Sequence, residues 1–168
     1  MSDSGFYQPP SQARLWTIPI VSTLIASTIT ALPLVLSIPV LPPLGLMMAL
    51  AWRLRRPEMW PAWMALPLGL FDDLFSGAAL GTAMTLWTIV FLAIDAVDSR
   101  PLWRDYWLDW GIAACAILFC GLNQWTFALF TGGGGVFWPV LPQVGFAIIL
   151  FPAMARICAN LDSWRLSR

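Results

Sequence analysis

Long apolar segments without charged side chains are the feature that most constrains how this chain can fold. Residues 15–36 contain no charged side chain, and residues 106–130 and 137–157 are nearly as apolar over similar lengths. An α-helix crosses the hydrocarbon core of a bilayer with about 20 such residues. In the whole chain 59% of residues are apolar and 11% are charged, whereas soluble domains average about 25% charged residues. The sequence therefore predicts an integral membrane protein.

Six apolar segments predict an all-α protein, a compact bundle of about six transmembrane helices. The four long segments are residues 15–36, 78–96, 106–130 and 137–157. Residues 42–54 and 59–75 are shorter, and they span only if flanking arginines snorkel or the bilayer thins locally. An alternative with four crossings and a re-entrant pair formed by these two segments remains open. Residues 1–14 are expected to be a disordered N-terminus, residues 15–157 the bundle and residues 158–168 a short tail.

The positions of the arginines predict the orientation of the bundle. All nine arginines lie near the chain ends or after an even-numbered segment, and the other three connections contain none. Because cytoplasmic loops are enriched in basic residues, we expect both termini in the cytoplasm. The inner connections that set this topology carry Arg53, Arg55, Arg56, Arg100 and Arg104. Eight tryptophans are expected to form an aromatic belt at this interface: Trp16, Trp52, Trp60, Trp63, Trp103, Trp107, Trp110 and Trp164.

The composition argues against several classes of function. The chain has no His and no Lys, and its net charge is zero. The commonest general base and metal ligand is therefore missing, and no basic surface is available for nucleic acid. The three cysteines lie in apolar segments without a CxxC spacing, as small hydrophobic residues do. We expect a protein that is not an enzyme and uses no cofactor or metal.

Two adjacent carboxylates occur toward the outer end of the third segment. Asp72 and Asp73 lie about 20 Å from Met59 along a helix. Because neighbouring helical residues diverge by about 100°, we expect one carboxylate to face the bundle interior. The other would reach the outer interface or cap the next helix. We expect replacement of Asp73 by Ala to be the more damaging.

Small residues follow these carboxylates at the predicted outer turn. Ser76 is expected to cap the fourth helix, because serine side chains accept hydrogen bonds from helix N-termini. Gly77 and Gly81 form a GxxxG spacing, which permits close helix approach. Packing within the chain and self-association are both open uses of that spacing.

Three further features indicate how the helices pack. Interior prolines such as Pro152 free a backbone carbonyl that neighbouring helices have to satisfy. Asn123 and Gln124 are expected to join helices by hydrogen bonds, or to line a pocket with Trp125. Residues 95–110 have the spacing of an interfacial helix, serving as a membrane anchor or as a docking face for a cytoplasmic partner.

The stretch Gly69-x-x-x-Asp73-x-x-Ser76-Gly77-x-x-Leu80-Gly81 resembles the turn G-x-x-x-D-x-x-x-G-x-x-L-G of the rod shape-determining MreD family. Residues 42–52, a proline-led apolar segment, and the following Arg56-Pro57 are also similar to that family. The resemblance extends over nearly the whole chain. Asp72 departs from the pattern, because the family usually has an apolar residue there.

The resemblance implies a non-enzymatic scaffold in the bacterial inner membrane, within the cell-elongation complex that makes peptidoglycan. Such a protein binds the single-span protein MreC and works with MreB, RodA and the transpeptidase partner of RodA. The resemblance also implies a six-helix bundle similar to the substrate-binding subunit of energy-coupling-factor vitamin transporters. A small-molecule-binding transporter subunit is therefore the alternative, with Asn123, Gln124, Trp125 and the loop 132–135 near an outward pocket.

Overall fold

The computed structural model describes residues 12–31, 41–77, 79–98, 105–130, 137–138 and 140–166, and the residues in these ranges form helices and short connections without any strand. The helices are α1 (Gln12–Ala31), α2 (Leu44–Arg55), α3 (Ala65–Ser76), α4 (Thr82–Asp98), α5 (Tyr106–Phe130) and α6 (Val140–Leu166). Two short 3-10 turns, Pro57–Met59 and Ala62–Met64, join α2 to α3. The predicted all-α class is confirmed. Because α6 continues to Leu166, most of the expected tail is helical.

The central helix of the bundle is α2. All ten residues from Gly45 to Leu54 are buried, because α1, α5 and α6 pack around this helix. The carbonyl of Pro43 accepts a hydrogen bond from the Met47 N–H at 3.0 Å and so extends the helical bonding at the start of α2. A helix of 12 residues is about 18 Å long, which is less than the hydrocarbon thickness of about 30 Å.

Among the residues that the structure describes, two helices are long and apolar enough to cross a membrane. They are α5, with 25 residues, and the part of α6 from Val140 to Arg165, with 26 residues. The apolar part of α1 covers Trp16–Thr30 and is shorter. Within the described part of the chain, helix length and composition are therefore compatible with membrane crossing for α5 and α6, and six crossings do not follow from these lengths.

Large apolar side chains also cover the outward faces of α5 and α6. Soluble proteins rarely expose wide contiguous apolar surfaces, whereas lipid-facing helices require them. The exposed large apolar residues of these two helices include Leu118, Phe119, Leu122, Phe127, Phe130, Leu141, Phe146, Ile149 and Ile157.

Two tryptophans of the expected aromatic belt lie in the core instead. Trp52 is fully buried, and its Nε1 donates to the Ser22 hydroxyl at 2.9 Å. Trp60 is also buried and meets the Phe91 ring edge-on at 6.5 Å between centroids. Trp52 lies against Arg165, at the arginine-rich end of the bundle. The sequence did not indicate that α2 and the turn after it are enclosed by other helices.

The remaining belt residues differ in exposure. Trp16, Trp63, Trp107 and Trp164 are exposed, Trp110 is half-buried and Trp103 lies outside the described residues. Within the expected interfacial helix over residues 95–110, α4 ends at Asp98 and α5 begins at Tyr106, and residues 99–104 lie outside the described ranges.

A proline inside α6 illustrates how a neighbouring helix supports a broken hydrogen-bond pattern. Pro152 has no N–H, so the carbonyl four residues earlier, on Ile148, loses its partner within the helix. The indole N–H of Trp110 in α5 donates to that carbonyl at 3.2 Å. The contact between α5 and α6 therefore includes a hydrogen bond that the proline makes necessary.

Candidate functional site

Asp73 is the buried carboxylate of the stretch from Gly69 to Gly81 described above, and it caps α4. Its side chain is 1% exposed. Oδ1 accepts a hydrogen bond from the Ala83 N–H at 2.8 Å, and Oδ2 accepts from Gly81 at 2.9 Å and Met84 at 3.2 Å. These donors belong to the start of α4, where backbone N–H groups have no partner within the helix. Asp73 therefore joins the end of α3 to the beginning of α4. Its negative charge at the N-terminus of α4 also interacts favourably with the dipole of that helix.

The turn between α3 and α4 uses its glycines for backbone conformation. Gly77 has φ +69° and Gly81 has φ +96°, a region that L-residues with a side chain rarely adopt. Both glycines lie outside the helices, so the expected GxxxG helix contact is wrong. Ser76 is the exposed last residue of α3 rather than the cap of α4, because Asp73 already takes that capping role.

Gly69 lets α3 approach α4 closely. A Cβ at this position would lie 2.6 Å from the Met84 Cα and 2.9 Å from the Ala83 carbonyl carbon. Both atoms are backbone, so the clash could not be relieved by moving a side chain. The first and last glycines of the motif therefore have different tasks, since Gly69 provides space and Gly81 provides a left-handed turn.

Asp72 points to a different neighbour from Asp73. It is half-buried, and the hydroxyl of Ser27 in α1 donates a hydrogen bond to its carboxylate. Gly45 of α2 lies against both groups, since a Cβ there would overlap the Ser27 hydroxyl and lie 2.8 Å from Asp72 Oδ1. The two carboxylates thus hold α3 against different helices. The expected division of roles is wrong, because the buried Asp73 itself caps α4 and Asp72 contacts α1.

The ion pairs of the described residues lie at the opposite end of the bundle. Arg53 forms those that join α2 to α4. Arg53 is 2% exposed and pairs with Asp95. The Nη2 atom of Arg53 also lies 3.8 Å from Oδ2 of Asp98. Its NH1 also donates to the Pro57 carbonyl at 2.7 Å. The end of α2 is thereby held against the end of α4.

Asp162 of α6 forms ion pairs with three other arginines at this end of the bundle. Its Oδ2 lies 3.4 Å from Nε of Arg55 and 3.1 Å from Nη2 of Arg56. Its Oδ1 lies 2.6 Å from Nη2 of Arg165. Arg165 is 1% exposed, and its guanidinium stacks over the Trp52 ring at 5.6 Å. A carboxylate that serves three arginines is a structural centre, and sequence reasoning did not identify it.

The arginines predicted to set the topology therefore also hold helices together. Arg53, Arg55 and Arg56 pair with α4 and α6, whereas Arg100 and Arg104 lie outside the described residues. The Asp162–Arg165 spacing of three residues is a signal for an ion pair on one helix face. The predicted tail at residues 158–168 contained no helix face for such a pair, whereas α6 continues to Leu166.

Two of the three predicted pocket residues line a cavity near the other end of α2. Gln124 and Trp125 contribute to this cavity of about 300 Å³ between α2, α5 and α6, and Asn123 does not. The Asn123 amide instead donates to the Phe119 carbonyl of its own helix at 2.8 Å. Gln143 also lines the cavity, and its amide donates to the Leu41 carbonyl at 2.8 Å. The loop 132–135 lies outside the described residues.

Metal-ligand groupings and family relations give no further site. Among the residues that the structure describes, no three Cys, Asp or Glu side chains are grouped as metal ligands. Cys120 and Cys158 are buried, and Cys115 is exposed. Comparison of the chain with protein-family models, with curated proteins and with solved structures yields no match.

Proposed function

We propose that this chain is a multi-pass protein of the bacterial inner membrane with both termini in the cytoplasm. The outward apolar side chains of α5 and α6 support contact with lipid. The ion pairs of Arg53, Arg55 and Arg56 lie at the end of the bundle that the positive-inside rule assigns to the cytoplasm. We propose six crossings, with α2 and α3 as short membrane segments.

Cysteine accessibility in intact cells tests this orientation. Single cysteines at Ser76 and Ser163, in a variant with the three native cysteines replaced by Ala, should differ in labelling. A membrane-impermeant maleimide should label Ser76→Cys, on the outer turn, and spare Ser163→Cys until the cells are lysed. Labelling of Ser163→Cys in intact cells would contradict the orientation. Replacement of Arg53, Arg55 and Arg56 together by Ala should disturb the pattern.

Within this membrane setting, we propose a non-enzymatic scaffold subunit of the cell-elongation complex that binds MreC and supports MreB, RodA and its transpeptidase. The observation that carries this proposal is the geometry of the stretch from Gly69 to Gly81. The sequence of this stretch resembles the MreD turn. Its carboxylate, Asp73, is fully engaged by three backbone N–H groups. Its glycines provide a turn and a close helix contact. Such residues build a rigid shape, which is the requirement of a scaffold.

Copurification and cell shape test the scaffold role. The tagged protein should retain MreC after mild detergent extraction, and depletion of the protein should round the cells. Asp73→Ala should weaken both effects more than Asp72→Ala. Retention of MreC at the background level, together with unchanged cell shape on depletion, would refute the scaffold role.

A second candidate function is that of a small-molecule-binding transporter subunit, favoured by the cavity of about 300 Å³ lined by Gln124 and Trp125. Such a subunit should retain a ligand after purification and associate with an ATPase module. Mass spectrometry of the denatured, purified protein detects the ligand. Gln124→Leu should abolish its retention, with Asn123→Leu as the matched control because Asn123 lies outside the cavity.

A further inference from the structure

We propose that a cavity between α2, α5 and α6 binds the phosphate headgroup of an anionic membrane lipid. This inference rests on the proposed membrane location and is independent of the scaffold role. The cavity has a volume of about 210 Å³ and lies at the arginine-rich end of the bundle. Its polar wall consists of Arg55, Tyr106, Asp109 and Arg156.

Arg156 supplies a cation that has no ion-pair partner among the described residues. Arg55, Arg56 and Arg165 share the carboxylate of Asp162, whereas Arg156 forms no ion pair or hydrogen bond with any described residue. It lies nine residues before Arg165, or about 14 Å along α6. Arg156 is therefore within the candidate span that ends at Arg165, where a cation needs an anionic partner or a wet cavity.

Arg55 and Tyr106 bring further donors to the same cavity. Arg55 uses Nε toward Asp162, and its terminal guanidinium nitrogens bond to no described residue. Tyr106, the first residue of α5, is 56% exposed and adds a hydroxyl. The forked donors of arginine match the oxygens of a phosphate. Asp109 carries the one acidic side chain of the wall and has an interaction of its own, so the wall has a net charge of +1.

The apolar part of the wall favours a lipid over a free anion. Trp110, Phe151 and Pro152 line the cavity beside the polar group. A phospholipid likewise has a phosphate at the interface and hydrocarbon chains next to it. Inorganic phosphate has no hydrocarbon to contact the apolar side chains. Basic pockets between transmembrane helices on the cytoplasmic side are a known mode of headgroup binding.

Thermal unfolding of the full-length protein in a neutral detergent tests the site. Phosphatidylglycerol, phosphatidylcholine and inorganic phosphate are titrated separately. We expect phosphatidylglycerol to raise the unfolding temperature in a saturable way and the other two to leave it unchanged. Arg156→Gln should weaken the apparent affinity for phosphatidylglycerol about fivefold, as expected for one arginine at an anionic lipid surface. Tyr106→Phe, which keeps every charge, should weaken it by a smaller factor.

Arg56→Gln is the matched control, because it removes the same charge at the same end but does not line the cavity. Its affinity for phosphatidylglycerol should equal that of the wild type. Equal effects of both lipids, equal losses in Arg156→Gln and Arg56→Gln, or an unfolding shift with phosphate alone would overturn the lipid assignment. Absence of the protein from the membrane fraction would instead refute the proposed function, so the two failures are distinguishable.

Discussion

Replacing Asp73 by Ala is the sharpest test of how the α3–α4 turn is held. The substitution removes a carboxylate that is 1% exposed and that accepts hydrogen bonds from Gly81, Ala83 and Met84. Because the site is buried, water does not readily replace the lost acceptor. Three helix-terminal N–H groups are then left without a partner.

The size of the effect follows from these three bonds. A hydrogen bond to a charged group contributes about 1.5–3 kcal/mol, but three donors that share two oxygens do not contribute independently. Loss of an ordinary N-cap costs about 0.5–2 kcal/mol. We therefore expect Asp73→Ala to lower the free energy of unfolding by about 3 kcal/mol. Asp73→Asn, which keeps one acceptor oxygen, should lower it by about half as much.

Unfolding by a denaturing detergent, followed by circular dichroism and tryptophan fluorescence, measures the change. Asp72→Ala is the matched control, because it deletes the same group one residue away and loses the contact with Ser27. We expect a loss of about 1 kcal/mol there. Equal losses for the two alanine variants, or wild-type stability of Asp73→Ala, would refute the capping argument.

The same unfolding assay tests three other contacts. Gly69→Ala should cost about 2 kcal/mol, because its Cβ meets the backbone of α4, whereas Gly111→Ala, whose Cβ meets nothing, should stabilise by about 0.5 kcal/mol. Equal effects would contradict close helix packing. Asp162→Asn should cost about 3 kcal/mol, because it leaves buried guanidinium charge uncompensated; a neutral outcome would show that the ion pairs are dispensable. Trp110→Phe should cost about 1 kcal/mol, and less in a Pro152→Ala background, where the carbonyl of α6 regains an N–H. An unchanged cost in that background would argue against the proposed link between proline and indole.

The positions of the helices could largely be predicted from the sequence. Apolar run length predicted the α5 boundaries, residues 106–130, and each of the other segments overlaps a helix, although α6 continues nine residues beyond its segment. The 100° step between helical neighbours also predicted that Asp72 and Asp73 would serve different contacts. These features depend on local geometry, which a single sequence records.

The interior of the bundle could not be predicted in the same way. A helix that is apolar on every side has no periodicity to mark its buried face, so the sequence did not reveal that α2 is central or that Trp52 is enclosed. The partnership of Arg55 and Arg56 with Asp162 joins residues more than 100 positions apart. The conformations of Gly77 and Gly81 depended on which residue capped α4, and a GxxxG spacing alone does not specify that.

The long separation between Arg56 and Asp162 has a consequence for biosynthesis. Arg56, directly after α2, leaves the ribosome 106 residues before Asp162, the carboxylate with which it pairs. Throughout that interval the connection after α2 carries Arg55 and Arg56 without this partner, whereas Arg53 already has Asp95 of α4 available. The ion pairs that join the end of α2 to α6 therefore form only after α6 has been made. A ribosome stalled before residue 162 should leave the connection after α2 accessible to protease, and release of the full chain should protect it.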